Sequence, residues 1–295
     1  MSPPALSVIV VSINGPSLLR VCLAALDAQA DDSVEVVVIA GDRGGVGEEE
    51  ELRSRFPRVR WIDAAQGTTV PRLRARGVHA SSGGIVALIE DDCVVSDGWC
   101  RAILDAHRGP EVAIGGPVEP GSFRRARDWA VYFCEYGRFM APMAEGARLS
   151  GTNVSYKRAA IAGALSREGL HDVWLHRAWT REGRLMRADP RLAVRNVNNW
   201  PSTHLTAVPF HHGRAFAARR FAGLRLWQRA PLAAATLFLP GVQVARMIAT
   251  VLRRQRYLVP FVKAIPEIVL FSCSWSAGEL TGCLLGDGGS ASQWR

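Results

Sequence analysis

Short apolar runs alternate with amphipathic or polar segments over residues 6–89. Runs rich in Val and Ile predict buried strands at residues 6–13, 35–39, 59–62 and 85–89. The segments between them predict helices at residues 17–29, 48–55 and 71–79. Strands that alternate with helices in this order form a parallel sheet joined by right-handed crossovers. The sequence therefore predicts an α/β fold with a mostly parallel, Rossmann-like sheet flanked by helices.

The alternation weakens in the middle of the chain. Residues 115–193 contain loops rich in Gly, Trp and Arg, with helices expected at residues 157–165 and around residues 173–182. No internal repeat or low-complexity stretch stands out. We interpret this part as the second half of the same domain.

The character of the sequence changes again after residue 210. A basic helix is followed by residues 232–252, which are apolar apart from Gln243 and Arg246, and a second apolar stretch covers residues 257–285. The first stretch is just long enough to span a bilayer, but Arg246 and a Pro-Gly pair in its middle favour a helix in the membrane interface or a buried hairpin. An ordinary soluble core is the alternative.

Composition narrows the class of protein. The chain has 295 residues, of which 48% are hydrophobic and 21% charged, and this excludes a disordered chain. The formal net charge is +9, and Lys157 and Lys263 are the only lysines, so almost all positive charge is carried by arginine. Phosphate, nucleic acid and anionic lipid are all compatible partners for such a chain.

Cysteine usage and the first residues indicate the compartment. The six cysteines are scattered, without the C-x-x-C pair that a zinc or redox site uses, which favours a reducing environment. The opening segment has no basic region, and its apolar run is too short for a signal peptide. We expect the bulk of the chain to be cytoplasmic.

Polar residues follow the predicted strands, at the edge where ligands bind in parallel sheets. They are Ser12, Asn14, Asp42, Glu90, Asp91 and Asp92. The last three are adjacent carboxylates, which repel one another unless a divalent cation or cationic partners lie between them. Oxygen ligands without a nearby Cys or His cluster favour Mg²⁺ or Mn²⁺ over zinc. The alternative is a solvated turn that caps the next helix.

Two further features carry possible chemistry. Asp172 stands at the start of a predicted helix, where a carboxylate can cap the helix and also accept a proton from a hydroxyl group, or can cap the helix only. Arg72, Arg74 and Arg76 alternate on another helix, so one or two of them at most can reach a bound diphosphate.

Taken in order, these segments resemble the family-two glycosyltransferases, whose fold is the A-type nucleotide-sugar transferase domain. The resemblance covers about residues 6–215 and rests on five motifs that recur in order. They are Ser7–Asn14, Glu35–Asp42, Arg74–Gly77 leading into Gly84–Cys93, Leu149–Arg158, and His171–Asp172.

The resemblance implies a role for each candidate residue. Asp92 would bind the Mg²⁺ or Mn²⁺ ion and Asp172 would be the catalytic base. The donor would contact Ser12, Asn14, Asp42, Arg76, Glu90 and Asp91, with Asp91 or Glu90 on the ribose, and the acceptor side would include Gly151, Thr152 and Asn153. The chain departs from the family pattern at Asp42, His171 and Asn196, the last standing where a histidine is frequent.

The resemblance also implies an activity and its partners. A metal-dependent, inverting, hexosyltransferase-like enzyme would move a sugar from a nucleoside diphospho-sugar to a carbohydrate or lipid-linked acceptor, in cell-envelope polysaccharide or glycolipid synthesis, without a nucleic-acid partner. Residues 1–215 would form the catalytic domain, with a nucleotide-sugar-binding half at 1–110 and an acceptor half at 111–215. Residues 216–295 would form a helical region associated with the inner face of the cell membrane, like the ends of bacterial cell-envelope members.

Two other functions are compatible with the residues themselves. A metal-dependent nucleotidyltransferase also uses an α/β sheet and acidic residues, but such enzymes usually have a glycine-rich loop with a lysine, and residues 12–17 contain no lysine. A basic module that binds nucleic acid or a lipid surface would account for the net charge.

Overall fold

The computed structural model describes residues 3–41, 46–121, 123–143, 146, 148–198 and 200–293. The chain forms two compact units. The sheet unit comprises Met1–Gly121 and Phe139–Asn198, and the helical unit comprises Ser122–Arg138 and Asn199–Arg295. The units divide the chain after residue 198, and the functional boundary at residue 215 stays a prediction.

Ten strands, all in the sheet unit, are described. They are β1 (Leu6–Ser12), β2 (Val34–Gly41), β3 (Arg60–Ala64), β4 (Ile85–Glu90), β5 (Cys93–Val95), β6 (Ala113–Gly115), β7 (Val118–Pro120), β8 (Asn153–Lys157), β9 (Met186–Ala188) and β10 (Val194–Asn196).

The described α-helices are divided between the two units. Those of the sheet unit are α1 (Pro16–Asp27), α2 (Val46–Arg55), α3 (Val70–Ala80), α4 (Trp99–Ala106), α6 (Arg158–Ile161) and α7 (Asp172–Arg181). Those of the helical unit are α5 (Ala126–Glu135), α8 (Ala207–Arg220), α9 (Leu226–Thr236), α10 (Leu239–Arg254), α11 (Leu258–Lys263) and α12 (Ile265–Leu285).

Seven strands form the main sheet in the order β3-β2-β1-β4-β8-β6-β9. The first four are parallel, β8 is antiparallel to both of its neighbours, and β9 is parallel to β6. A smaller sheet has the order β5-β10-β7. This arrangement confirms the predicted α/β fold with a mostly parallel sheet.

The core of the sheet unit lies around β1 and β4. All seven residues of β1 are buried, which explains why its sequence is a continuous apolar run without alternation. Val10 pairs with Val38 on one side and with Ile89 on the other, so β1 is central. The helices that follow each strand cover the faces of the sheet, and the loops at the carboxyl ends of the strands are left to form a site.

The helix predicted at residues 157–165 is confirmed in its position, because α6 is followed directly by a short 3-10 helix at Ala162–Ala164. The strand that precedes it was not predicted. Residues 153–157 form β8, whose pairing with β4 and β6 satisfies the backbone groups of a buried segment.

Candidate active site

The carboxyl ends of β1 and β4 lie side by side. The two strands are parallel neighbours, and their register pairs Val11 with Glu90. The chain continues from β1 to Asn14 and from β4 to Asp91 and Asp92. The structure therefore brings together the polar residues that were predicted at the ends of these two strands.

Asp91 fastens the loop after β1. Its Oδ2 accepts hydrogen bonds from Ser12 Oγ at 3.0 Å and from the backbone N–H groups of Ile13 and Asn14 at 2.9 Å each. Its Oδ1 accepts from Asn14 Nδ2 at 2.7 Å. Burial raises the pKa of Asp91 to about 6, although these hydrogen bonds oppose the rise. Because Asp91 is fully buried and both of its oxygens accept hydrogen bonds, it holds the loop after β1 in position.

Asp92 is held by two asparagines. Its side chain is buried, and its Oδ2 accepts hydrogen bonds from Asn196 Nδ2 at 2.9 Å and from Asn198 Nδ2 at 3.3 Å. Burial raises the pKa of Asp92 to about 7, and the charges of Glu90 and Asp91 add to the rise. Neutral amides compensate a buried anion only in part, so this carboxylate is suited to a cationic partner.

The donor set around Asp92 fits a hard divalent cation. It offers the carboxylate of Asp92, to which Asn196 and Asn198 present their amide nitrogens, and oxygen is the ligand that Mg²⁺ and Mn²⁺ prefer. The adjacent Cys93 donates from Sγ to Asp92 Oδ1 at 3.5 Å, and burial raises the pKa of this thiol well above its usual range. Within the described residues no group of three or more His, Cys, Asp or Glu side chains could hold a metal. The chain would therefore supply few ligands, and phosphate and water oxygens would complete the coordination.

Arg74 connects Asp172 with the acidic segment, by which we mean Glu90, Asp91 and Asp92. Its guanidinium, with 8% of the side chain exposed, donates from Nη1 to Asp172 Oδ1 at 2.7 Å and from Nη2 to Glu90 Oε1 at 3.0 Å. Burial lowers the pKa of Arg74, but the two carboxylates outweigh this and the net shift is upward. One buried cation thus faces both carboxylates.

The structure places Arg74, and not the predicted Arg76, in the site. Arg76 is exposed and donates from Nη2 to the carbonyl oxygen of Asp63 at 2.9 Å. Residues two apart on a helix point about 200° apart, so α3 can bury one of this pair only. The buried position is 74, next to Leu73 and Ala75, which pack into the core.

Asp172 points into the site from the first turn of α7. Its carboxylate lies against the Cα of Gly151, where a Cβ would overlap all three carboxylate atoms. A glycine at 151 is therefore what allows Asp172 to reach Arg74. Asp172 does more than cap α7, because its side chain also contacts Arg74, which is 98 residues away in sequence.

The other two residues predicted for the acceptor side differ from Gly151. Asn153 is fully buried and donates from Nδ2 to the carbonyl oxygens of Leu192 at 2.6 Å and Pro117 at 3.2 Å, while its Oδ1 accepts from Trp99 Nε1 at 3.3 Å. It joins three segments of the sheet unit and has a structural role. Thr152 is buried next to it.

The sequence does not single out Asn198, and it favours Arg76 where the structure buries Arg74 between Glu90 and Asp172. The spacing of Asn196 and Asn198 holds a signal, because alternate residues of an extended segment point to the same side. Asn198 Nδ2 also donates to Asn14 Oδ1 at 3.1 Å, so it links the loop after β1 to Asp92. The predicted donor residue Asp42 lies outside the described residues.

Comparison with known proteins identifies related sequences. The family described as Glycosyl transferase family 2 matches residues 7–163. A glucosyl-dolichyl phosphate glucuronosyltransferase from Haloferax volcanii is 31% identical over 94 residues, which are 29% of this chain and 30% of the relative. The match thus spans less than a third of that curated relative.

Two solved structures share the fold over most of the chain. One is the mannosyltransferase PcManGT from Pyrobaculum calidifontis in complex with GDP-Man and Mn²⁺, with a TM-score of 0.54, 14% identity, and coverage of 94% of this chain and 88% of that one. The other is residues 1–349 of TarS from S. aureus in complex with UDP-GlcNAc, with a TM-score of 0.52, 14% identity, and coverage of 94% and 90%. At this identity the likeness concerns the fold.

Proposed function

The chain belongs to glycosyl transferase family 2, and on that premise we propose that it transfers a sugar from a nucleoside diphospho-sugar to an acceptor hydroxyl with inversion of configuration. The donor would lie at the carboxyl ends of β1 and β4, where Asp91 holds the loop of Ser12 and Asn14 in place. The acceptor would enter beside Gly151 and Asp172. Because the backbone N–H groups of Ile13 and Asn14 donate to Asp91, this loop would be held rigid where it contacts the donor.

A single observation carries this proposal. The guanidinium of Arg74 contacts both Glu90, next to Asp91 and Asp92, and Asp172 at the start of α7. Glu90 on the donor side and the candidate base Asp172 therefore share one buried cation. Arg74 also fixes the direction of the Asp172 carboxylate. Its contact with Oδ1 sets the position of Oδ2, the oxygen that would face the acceptor.

The chemical step requires one proton acceptor and one good leaving group. Asp172 would accept the acceptor hydroxyl proton at Oδ2, since Oδ1 is engaged by Arg74. As that oxygen bonds to the anomeric carbon, the bond from this carbon to the diphosphate breaks on the opposite face, which inverts the configuration. General-base assistance of this kind contributes about 10²–10⁴ in rate.

Charge must also be neutralised on the departing nucleoside diphosphate. Asp92, positioned by the amides of Asn196 and Asn198, would hold a Mg²⁺ or Mn²⁺ ion that supplies this neutralisation. Asn198 keeps Asp92 and Asn14 in a fixed relation, so the metal-binding carboxylate and the loop after β1 are positioned together.

We further infer a carbohydrate or lipid-linked acceptor at the inner face of the cell membrane, with residues 1–215 carrying out transfer and residues 216–295 contacting the membrane. The Haloferax relative is named for glucosyl-dolichyl phosphate, a lipid-linked sugar. The apolar helices after residue 226 are consistent with such a location.

The substitution Asp172→Asn tests the proposed base. The variant should bind the donor as the wild type does, because the change is on the acceptor side, and should lose at least about a hundredfold in the rate of transfer. Asp63→Asn, at an exposed carboxylate, is the matched control and should leave both quantities unchanged. Near-normal turnover of Asp172→Asn would remove this residue from the mechanism.

A panel of UDP- and GDP-sugars with Mn²⁺ or Mg²⁺ tests the reaction class. Thermal stabilisation identifies the donor, and the nucleotide product distinguishes two classes of enzyme. Release of a nucleoside diphosphate supports glycosyl transfer, whereas formation of pyrophosphate would show a nucleotidyltransferase instead.

A further inference from the structure

The helical unit exposes a continuous apolar surface along α9 and α10. Its largest members are Trp227, Leu237 and Phe238, which are 70%, 68% and 75% exposed. Among the described side chains of residues 227–252, each exposed residue except Arg246 is apolar or glycine. Scattered exposed apolar residues are normal in soluble proteins, but a continuous surface of this kind marks an interaction site.

The exposed residues follow helical spacing, so they lie on one side of each helix. In α9 they recur at steps of three or four from Trp227 to Phe238, and the series continues through α10 to Leu252. A helix of the sheet unit shows the usual contrast, because the exposed positions of α2 include Glu48, Glu50 and Arg55. We call the exposed residues of α9 and α10 the apolar face.

Positive charge is concentrated around the apolar face. Residues 207–263 contain ten arginine and lysine residues and no aspartate or glutamate. The whole helical unit has 15 basic and 5 acidic residues, whereas the sheet unit has 21 and 22. Arg246 and Arg253 are exposed on α10, with Arg225 before α9 and Lys263 at the end of α11. The charge therefore favours an anionic partner.

The lengths of these helices favour a position along a membrane surface. α9 has 11 residues and α10 has 16, and the two helices meet at an angle of 51°. At about 1.5 Å per residue α10 is about 24 Å long, which is shorter than the roughly 30 Å hydrocarbon core. Neither helix alone crosses a bilayer, and the bend prevents them from acting as one straight span.

α12 is the one described helix that is long and apolar enough to cross a bilayer by itself. It is however a core helix of the helical unit. Gly278 lies in backbone contact with Phe210 of α8, and Gly213 of α8 lies in backbone contact with Trp275. Glu279 is buried on the same helix and accepts a hydrogen bond from Trp275 Nε1 at 2.8 Å. Spanning a membrane would require α12 to leave these contacts.

We propose that the apolar face of α9 and α10 docks in the interface of an anionic phospholipid bilayer, with Arg246 and Arg253 on lipid headgroups and without a membrane-spanning helix. This inference deepens the proposed function, because it specifies how the enzyme reaches a membrane-bound acceptor. The apolar side chains insert among the acyl chains, and the arginines at the border bind phosphate groups. A nucleic acid would require a polar basic surface, and the apolar face is not one.

Vesicle co-sedimentation of the purified full-length chain tests the proposal without any sugar nucleotide. The wild type should bind vesicles of phosphatidylcholine with phosphatidylglycerol and bind phosphatidylcholine alone much more weakly. Leu237→Ser with Phe238→Ser should weaken binding at least about tenfold. Arg246→Gln with Arg253→Gln should weaken it at least about fivefold at low salt and less at high salt.

Matched controls come from the sheet unit. Leu185→Ser removes a leucine that is 56% exposed, and Arg108→Gln removes an arginine whose side chain is 83% exposed, and neither should change vesicle binding. Asp172→Asn should also bind vesicles normally, so failure of membrane docking and failure of the proposed chemistry are separate results.

Three outcomes would overturn the proposal. The first is vesicle binding that is unchanged in the apolar double variant. The second is concentration-dependent dimerisation that this variant abolishes while vesicles are not bound, which would assign the apolar face to a second copy of the chain. The third is binding to duplex DNA as strong as binding to the anionic vesicles.

Discussion

Replacement of Arg74 by methionine should destabilise the sheet unit, because it leaves two buried carboxylates without their cation. Glu90 and Asp172 have 14% and 15% of their side chains exposed, so water replaces little of the lost interaction. Removing one partner of a buried ion pair typically costs about 3–5 kcal/mol. Arg74→Lys keeps the charge but loses the fork that contacts both carboxylates at once, and we expect a loss of about 2 kcal/mol.

Urea unfolding at neutral pH measures these losses. The control Arg58→Met removes an arginine whose pair with Asp32 is on the surface, and it should cost less than about 1 kcal/mol. Adding Glu90→Gln to Arg74→Met should recover part of the loss, because one of the two unpaired charges is then absent. If Arg74→Met is no more destabilising than Arg58→Met, or if Glu90→Gln recovers nothing, the argument that Arg74 holds the two carboxylates is wrong.

Three further predictions concern other positions. Burial lowers the pKa of His107 from 6.5 to about 4, so between these two pH values the unfolded chain binds more protons than the folded chain. The free energy of unfolding should therefore fall by up to about 3 kcal/mol as the pH drops through this window. Urea titrations at pH 7 and pH 4.5 should show a smaller fall for His107→Gln than for the wild type. Gly151→Ala should displace the Asp172 carboxylate and lower kcat at least about tenfold with donor Kd unchanged, whereas Gly163→Ala, with open space around it, should be neutral, and equal kinetics of the two variants would contradict the close contact. Asp92→Asn should raise the free energy of unfolding of the metal-free protein by about 1 kcal/mol and abolish the increase in Tm that Mn²⁺ produces, and an increase that persists would exclude Asp92 as a ligand.

Strands β1, β2 and β4 could be predicted from the sequence because they are buried on both faces, and such strands are rich in Val and Ile. β3 lies at the edge of the sheet and is partly exposed. The observed bounds of all four strands lie within two residues of the predicted ones. The three-residue strands β5, β6, β7, β9 and β10, which lie in both sheets, are too short to show a period, so the sequence does not predict them. β8 was partly hidden because its partners β4 and β6 come from distant parts of the chain.

The residues of the site could be predicted where their local sequence is unusual, and not where distant contacts decide their role. The acidic segment and Asp172 are visible because a run of carboxylates after an apolar strand, and an acid at a helix start, are unusual in themselves. The choice between Arg74 and Arg76 depends on which side of α3 packs into the core, which is a tertiary property. The contacts of Asn153 also depend on distant segments, so its structural role was not visible in the motif.

The contact between α8 and α12 has a practical consequence for handling the protein. Hydropathy alone would classify the protein as integral to the membrane and suggest detergent for its extraction, since α12 is the longest apolar helix among the described residues. With glycines bringing the two helix backbones together, that helix is already enclosed by protein. We therefore expect an alkaline wash, which leaves membrane-spanning proteins in the bilayer, to release this protein from cell membranes.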